Sequence, residues 1–146
     1  MRKLLVFCLF LSACSGSSKF YKDYDLGVEK QATVGSVMVT VSSQAKTGDQ
    51  VTKITEQLTY GGVAGRIVRI GAREYGEDHS KPIAFQELQY DLTESEVITF
   101  RDMSIQVLEA SNKQIRFKVL TGPEDPNAPQ EEGGPADKSA PPKFGQ

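Results

Sequence analysis

From residue 36 to residue 120, apolar side chains recur at every second position in short runs, and turn residues close each run. Val37, Val39 and Val41 alternate with Met38 and Thr40. Ile54, Leu58 and Tyr60 share one parity of a Thr-rich run. Met103, Ile105 and Val107 alternate, as do Ile115, Phe117 and Val119. Successive side chains of an extended chain point to opposite sides, so this period places one face of each run in a core and the other in solvent. A helix buries positions three and four apart and cannot use the pattern. The chain is therefore expected to be all-β.

The strands expected are about 26–30, 36–42, 52–60, 64–75, 83–91, 96–101, 103–109 and 114–120. Ser111-Asn112-Lys113 joins the last two as a hairpin. Thr47-Gly48-Asp49, Gly61-Gly62 and Thr93-Glu94-Ser95-Glu96 are expected turns, and residues 76–82 a loop. Ile83 and Phe85 lie in one phase, and Leu88, Tyr90 and Leu92 in the other. This predicts a bulge or strand break near Gln86-Glu87. No helix is expected beyond what a short turn near 91–96 could hold. About seven or eight short antiparallel strands predict a small sandwich or barrel over residues 20–120.

The hydrophobic fraction of 38% is low for a globular chain, so part of the length is expected to lie outside the core. Residues 15–19, Ser-Gly-Ser-Ser-Lys, have the composition of a flexible tether. Six of the seven prolines fall within residues 121–146, which contain no Val, Ile, Leu or Met. Such a segment has too little apolar surface to offset the entropy of ordering, so a disordered, acidic, Pro-rich tail is expected there.

The N-terminus has a different organisation. Met1-Arg2-Lys3 is basic, Leu4 to Leu11 is an unbroken apolar run, and Ser12-Ala13 are small before Cys14. The layout is that of a secretory signal peptide over residues 1–13, too short to span a bilayer. Leu11-Ser12-Ala13-Cys14 resembles the lipobox of bacterial lipoproteins. That resemblance implies diacylglyceryl transfer to the Cys14 thiol, cleavage between Ala13 and Cys14, and acylation of the new amine. Several acyl chains such as palmitate make an anchor effectively permanent, whereas one is marginal. Ser15 follows the cysteine, where Asp resembles an inner-membrane retention signal in Gram-negative bacteria. The implied location is the outer membrane, or the outer face of the cell membrane in a Gram-positive source. The mature domain resembles small uncharacterised β-rich bacterial lipoproteins in its Tyr60-Gly61-Gly62 turn, its Arg73-Glu74-Tyr75 strand end and its closing hairpin. That likeness transfers no activity.

Composition narrows the chemistry. A net charge of −2 gives no footprint for nucleic acid. One His and two Cys are too few for a Cys/His zinc site, and no disulfide framework or cofactor is expected. Glu77-Asp78-His79 places a His beside carboxylates, but consecutive residues rarely converge on one ion. There is no Gly-x-Ser-x-Gly, and no spacing singles out two of Glu74, Asp91, Glu94 and Glu96 for glycoside hydrolysis. A non-catalytic protein is therefore expected. Arg66, Arg69, Arg73 and Arg101 are candidates for a basic face, and the five tyrosines for amphipathic anchors. Arg69, Arg73 and Tyr75 are the candidate contacts to a ligand or partner. The expected function is a structural or protein-binding accessory role in the envelope, attached to the membrane by lipid and facing an envelope protein partner. The alternative is a small-ligand or glycan-binding β-module. A sheet face lined by tyrosines and an arginine would favour the ligand, and a flat exposed strand edge would favour the protein partner.

Overall fold

The computed structural model describes residues 18–128 and contains nine β-strands and no helix among them. They are β1 (Ser18–Lys22), β2 (Glu29–Thr33), β3 (Val37–Thr47), β4 (Gln50–Ala64), β5 (Ile67–Tyr75), β6 (Pro82–Asp91), β7 (Val97–Phe100), β8 (Met103–Ala110) and β9 (Gln114–Thr121). Two antiparallel sheets form, in the orders β1-β3-β4-β5-β6 and β2-β9-β8-β7. Among the described residues both sheets end in unpaired edges, so the architecture is a sandwich and not a closed barrel.

The alternation explains the core. Val39, Leu58, Tyr60, Val68 and Ile70 of the five-stranded sheet face Ile98, Ile105, Val107, Ile115, Phe117 and Val119 of the four-stranded one, all buried. Two tyrosine hydroxyls help tie the sheets across their sides. The Tyr60 hydroxyl donates to the Ser111 carbonyl at 2.6 Å, and the Tyr90 hydroxyl to the Thr99 carbonyl at 2.8 Å. Burial raises the pKa of both phenols.

The structure departs from the expectations at several places. Ser18 and Lys19 belong to β1, not to a tether, and pair with Ala45 and Gln44 of β3. Adding an edge strand uses backbone groups, which a Ser-rich composition does not disclose. β2 starts at Glu29 rather than Leu26, and Leu26 and Val28 are about half exposed in the turn before it. In β3 a register shift between Val37 and Val39 turns Met38 and Val39 both inward and leaves Val37 exposed.

Gly61-Gly62 is not a hairpin turn. β4 runs through it, with a register shift between Tyr60 and Val63, and the chain reverses at Gly65-Arg66. Gly62 is buried with φ at +92°, where a side chain would be strained, so this glycine serves a bulge. The bulge expected near Gln86-Glu87 is absent. The β5–β6 register is continuous from Asp91 to Ala84, and its shift lies between Glu74 and Tyr75. The change of phase reflects apolar residues on both faces of β6. Leu88 and Tyr90 pack against the core, whereas Phe85 lies on the outer face, where a Cβ on Gly71 would come within 3.3 Å of its ring.

The segment expected to be disordered from residue 121 begins with placed residues. Thr121 closes β9. A Cβ built on Gly122 would collide with the hydroxyl of Tyr24, itself 4% exposed. Asn127 clasps Ser18, with Nδ2 donating to the Ser18 carbonyl at 2.9 Å and Ser18 Oγ donating to Oδ1 at 2.8 Å. Residues 129–146, and residues 1–17 with Leu11, Ser12, Ala13, Cys14 and Ser15, lie outside the described residues.

The Gly122 contact is testable. Gly122→Ala forces overpacking and is expected to cost about 1 to 3 kcal/mol, read as a lower thermal midpoint. The Tyr24 hydroxyl is buried without a hydrogen-bond partner among the described residues. Tyr24→Phe in the Gly122→Ala background should therefore restore part of the loss. Equal midpoints for wild type and Gly122→Ala would mean that residue 122 does not pack on Tyr24.

Candidate functional site

The period of β5 places Arg69, Gly71, Arg73 and Tyr75 on the face opposite buried Val68, Ile70 and Ala72. The three candidate contacts therefore share the outer face of the five-stranded sheet. The four arginines do not form one basic patch. Arg66 lies in the β4–β5 turn and donates to the Leu92 carbonyl at 3.0 Å. Arg73 lies over the Phe85 ring, 5.8 Å from its centroid. Arg101 occupies the tight β7–β8 turn with φ at +50°, and its guanidinium pairs with Glu56 and, at 3.0 Å, with Glu74. That pair bridges the sheets at one end of the sandwich and occupies Glu74.

Three of the five tyrosines, Tyr24, Tyr60 and Tyr90, are packing residues. Tyr21 and Tyr75 stand on the outer face. Register relates them directly. Tyr21 of β1 lies opposite Ser42 of β3, Ser42 opposite Thr55 of β4, and Thr55 opposite Tyr75 of β5. One row across four strands thus carries an aromatic ring, two hydroxyls and a second aromatic ring. The adjacent row is Lys19, Gln44 and Lys53, and the row on the other side is Thr40, Gln57, Arg73 and Phe85.

The Glu77-Asp78-His79 loop folds over this face. Its members do not converge, and no cluster of His, Cys, Asp and Glu among the described residues could hold a metal ion. The Asp78 carboxylate caps the loop, accepting from the Ser80 N–H at 2.9 Å and the Ser80 hydroxyl at 2.8 Å, which lowers its pKa. His79 stacks on Tyr75 with centroids 6.0 Å apart. Its Nδ1 lies 3.3 Å from the Glu77 carbonyl, which can only accept, so Nδ1 donates there, and in the neutral ring Nε2 then accepts from the Thr55 hydroxyl at 3.0 Å. Thr55 Oγ1 in turn accepts from Ser42 Oγ at 2.7 Å. Thr55 is 3% exposed although it lies on the outer face.

The result is a groove of about 560 Å³ with Lys19, Tyr21, Ser42, Lys53, Thr55 and His79 among its lining residues. Ser42, Thr55, Lys19 and Lys53 were not candidates in the sequence. Their only advance signal was parity within the Ser- and Thr-rich runs of β3 and β4. Of the remaining carboxylates considered, Asp91 caps the turn after β6. It accepts from the Thr93 hydroxyl at 2.7 Å and the Thr93 N–H at 2.8 Å, which lowers its pKa.

Among the described residues the sandwich has four unpaired edges. β1 and β2 are five residues long and carry charges, and β7 has four residues. β6 has ten, and its first five, Pro82 to Gln86, are uncharged. Ile83 and Phe85 there are 62% and 59% exposed. No protein-family model, curated protein or solved structure matches the chain.

Proposed function

We propose that this chain is a lipid-anchored, non-catalytic envelope protein that holds a partner protein by strand addition at β6. The carrying observation is the β6 edge. Natural sheets guard their edges with charge, shortness or cover, because an unpaired row of N–H and C=O groups templates another strand. β1, β2 and β7 are guarded in this way, whereas β6 is guarded only at its start, by Pro82 and the bulge at Ile83, and its uncharged stretch Ala84–Gln86 is not. A partner strand laid along Ala84–Gln86 would gain main-chain hydrogen bonds, with Ile83 and Phe85 supplying apolar contact. The lipobox-like Leu11-Ser12-Ala13-Cys14 supports attachment through Cys14, and Ser15 favours the outer membrane. The partner itself is an envelope protein recognised through an extended segment.

Placing charge on the edge tests this. Ile83→Lys with Phe85→Lys should lower the thermal midpoint only slightly, since both side chains are exposed and the loss is confined to the Arg73–Phe85 stacking and the like charge placed opposite Arg73. The same variant should lose the protein recovered with wild type after crosslinking in intact envelopes. Recovery of the same protein at the same yield would refute docking at β6.

A further inference from the structure

We infer that the outer-face groove binds an anionic saccharide, a sugar bearing carboxylate or phosphate. The site is separate from the β6 edge and does not depend on it. Three observations carry the inference. The first is charge: Lys19 and Lys53 line the groove, and among the described residues no carboxylate does. Neither lysine makes an ion pair with the described residues. A ligand carrying negative charge would find two ammonium donors without displacing an internal partner.

The second is the framework. An exposed sheet face normally leaves a threonine free to rotate. Thr55 is instead buried, with its hydroxyl fixed between Ser42 and His79. His79 is held by three contacts, to Thr55, to the Glu77 carbonyl and to the Tyr75 ring. A loop side chain pinned in this way forms a preformed wall, which lowers the ordering cost of binding.

The third is the arrangement of polar and aromatic groups. The row from Tyr21 through Ser42 and Thr55 to Tyr75 crosses three strand spacings, about 14 Å. Tyr21 is 58% exposed at one end, and Tyr75 backs His79 at the other. Hydroxyl and amide groups of Thr40, Gln44 and Gln57 flank the row. A pyranose presents hydroxyls at its edge and C–H groups on its face, and so matches hydroxyl and amide partners beside a flat ring. An inorganic anion would use only the lysines. The volume of about 560 Å³ lies within the range of small-molecule sites.

The test is a titration of the purified full chain, followed by amide NMR. Glucuronic acid and glucose 6-phosphate are the probes, and glucose, inorganic phosphate and phosphatidylglycerol vesicles are the controls. Either charged sugar should shift the amides of Ser42, Lys53, Thr55 and His79, and bind about tenfold tighter than glucose or inorganic phosphate. Lys53→Glu should remove the binding at an unchanged thermal midpoint, and Ile83→Lys with Phe85→Lys should not. The inference is overturned if neither charged sugar produces localised shifts, or if inorganic phosphate binds as tightly as the sugars. It is also overturned if the vesicles bind and the sugars do not compete. If Lys53→Glu lowers the midpoint, Lys19→Glu replaces it as the deciding variant.

Discussion

Phe117→Ala is expected to remove about 3 to 5 kcal/mol of stability, a large share of the roughly 5 to 15 kcal/mol that holds a typical domain together. The ring is fully buried at the centre of β9, between Lys30 of β2 and Val107 of β8 in register. Its removal leaves a void between two sheets whose backbones are fixed by ladders on both sides, so the walls cannot close over it. Urea unfolding followed by circular dichroism measures the loss, which should appear as a lower midpoint at unchanged slope. Leu120→Ala is the internal control. That side chain lies three residues away in the sequence but is 40% exposed, and its loss should be several-fold smaller. Equal effects at the two positions would mean that β9 does not turn Phe117 inward.

Cys14→Ser should abolish membrane attachment altogether. The proposed anchor depends on one sulfur atom, because Cys8 is the only other cysteine and falls within the segment to be removed. A serine hydroxyl is a far weaker nucleophile than a thiolate and accepts no diacylglyceryl group. Labelled palmitate should enter the wild type and not the variant, and the variant should retain its leader. Detergent partitioning would show the same difference, since several acyl chains give an effectively permanent anchor and none gives no anchor. Equal labelling of both chains, or of neither, would refute lipidation at this cysteine. The β6 and groove variants leave Cys14 intact, so their results separate cleanly from this one.

How much of the molecule was legible depended on whether the information was local. The β8–β9 hairpin was readable because Met103, Ile105 and Val107 answer Ile115, Phe117 and Val119 across a short polar turn. Every one of the six is buried. Arg69, Arg73 and Tyr75 could be placed on one face by parity alone, and they share it. Gly61-Gly62 misled because a glycine pair serves a bulge as well as a turn, and only the pairing of β4 with β5 distinguishes the two. Ser18 and Lys19 misled because an edge strand borrows its order from a neighbour. The Ser42–Thr55–His79 chain was invisible for a related reason. Its members are 13 and 24 residues apart: register brings Ser42 to Thr55, and the folded β5–β6 loop brings His79 to Thr55.

The clasp between Ser18 and Asn127 has a mechanical consequence. These residues are 109 positions apart in the chain, yet two hydrogen bonds join their side chains and backbone. A load applied between the two ends of the domain therefore enters and leaves at neighbouring points. The first bonds to carry it are those of the clasp, which are exposed, and not the ladders of the two sheets. The sandwich hangs from this junction as a pendant on a closed ring. Tension between anything held before Ser18 and anything held after Ala128 runs through the junction and leaves the rest of the body slack until the clasp opens.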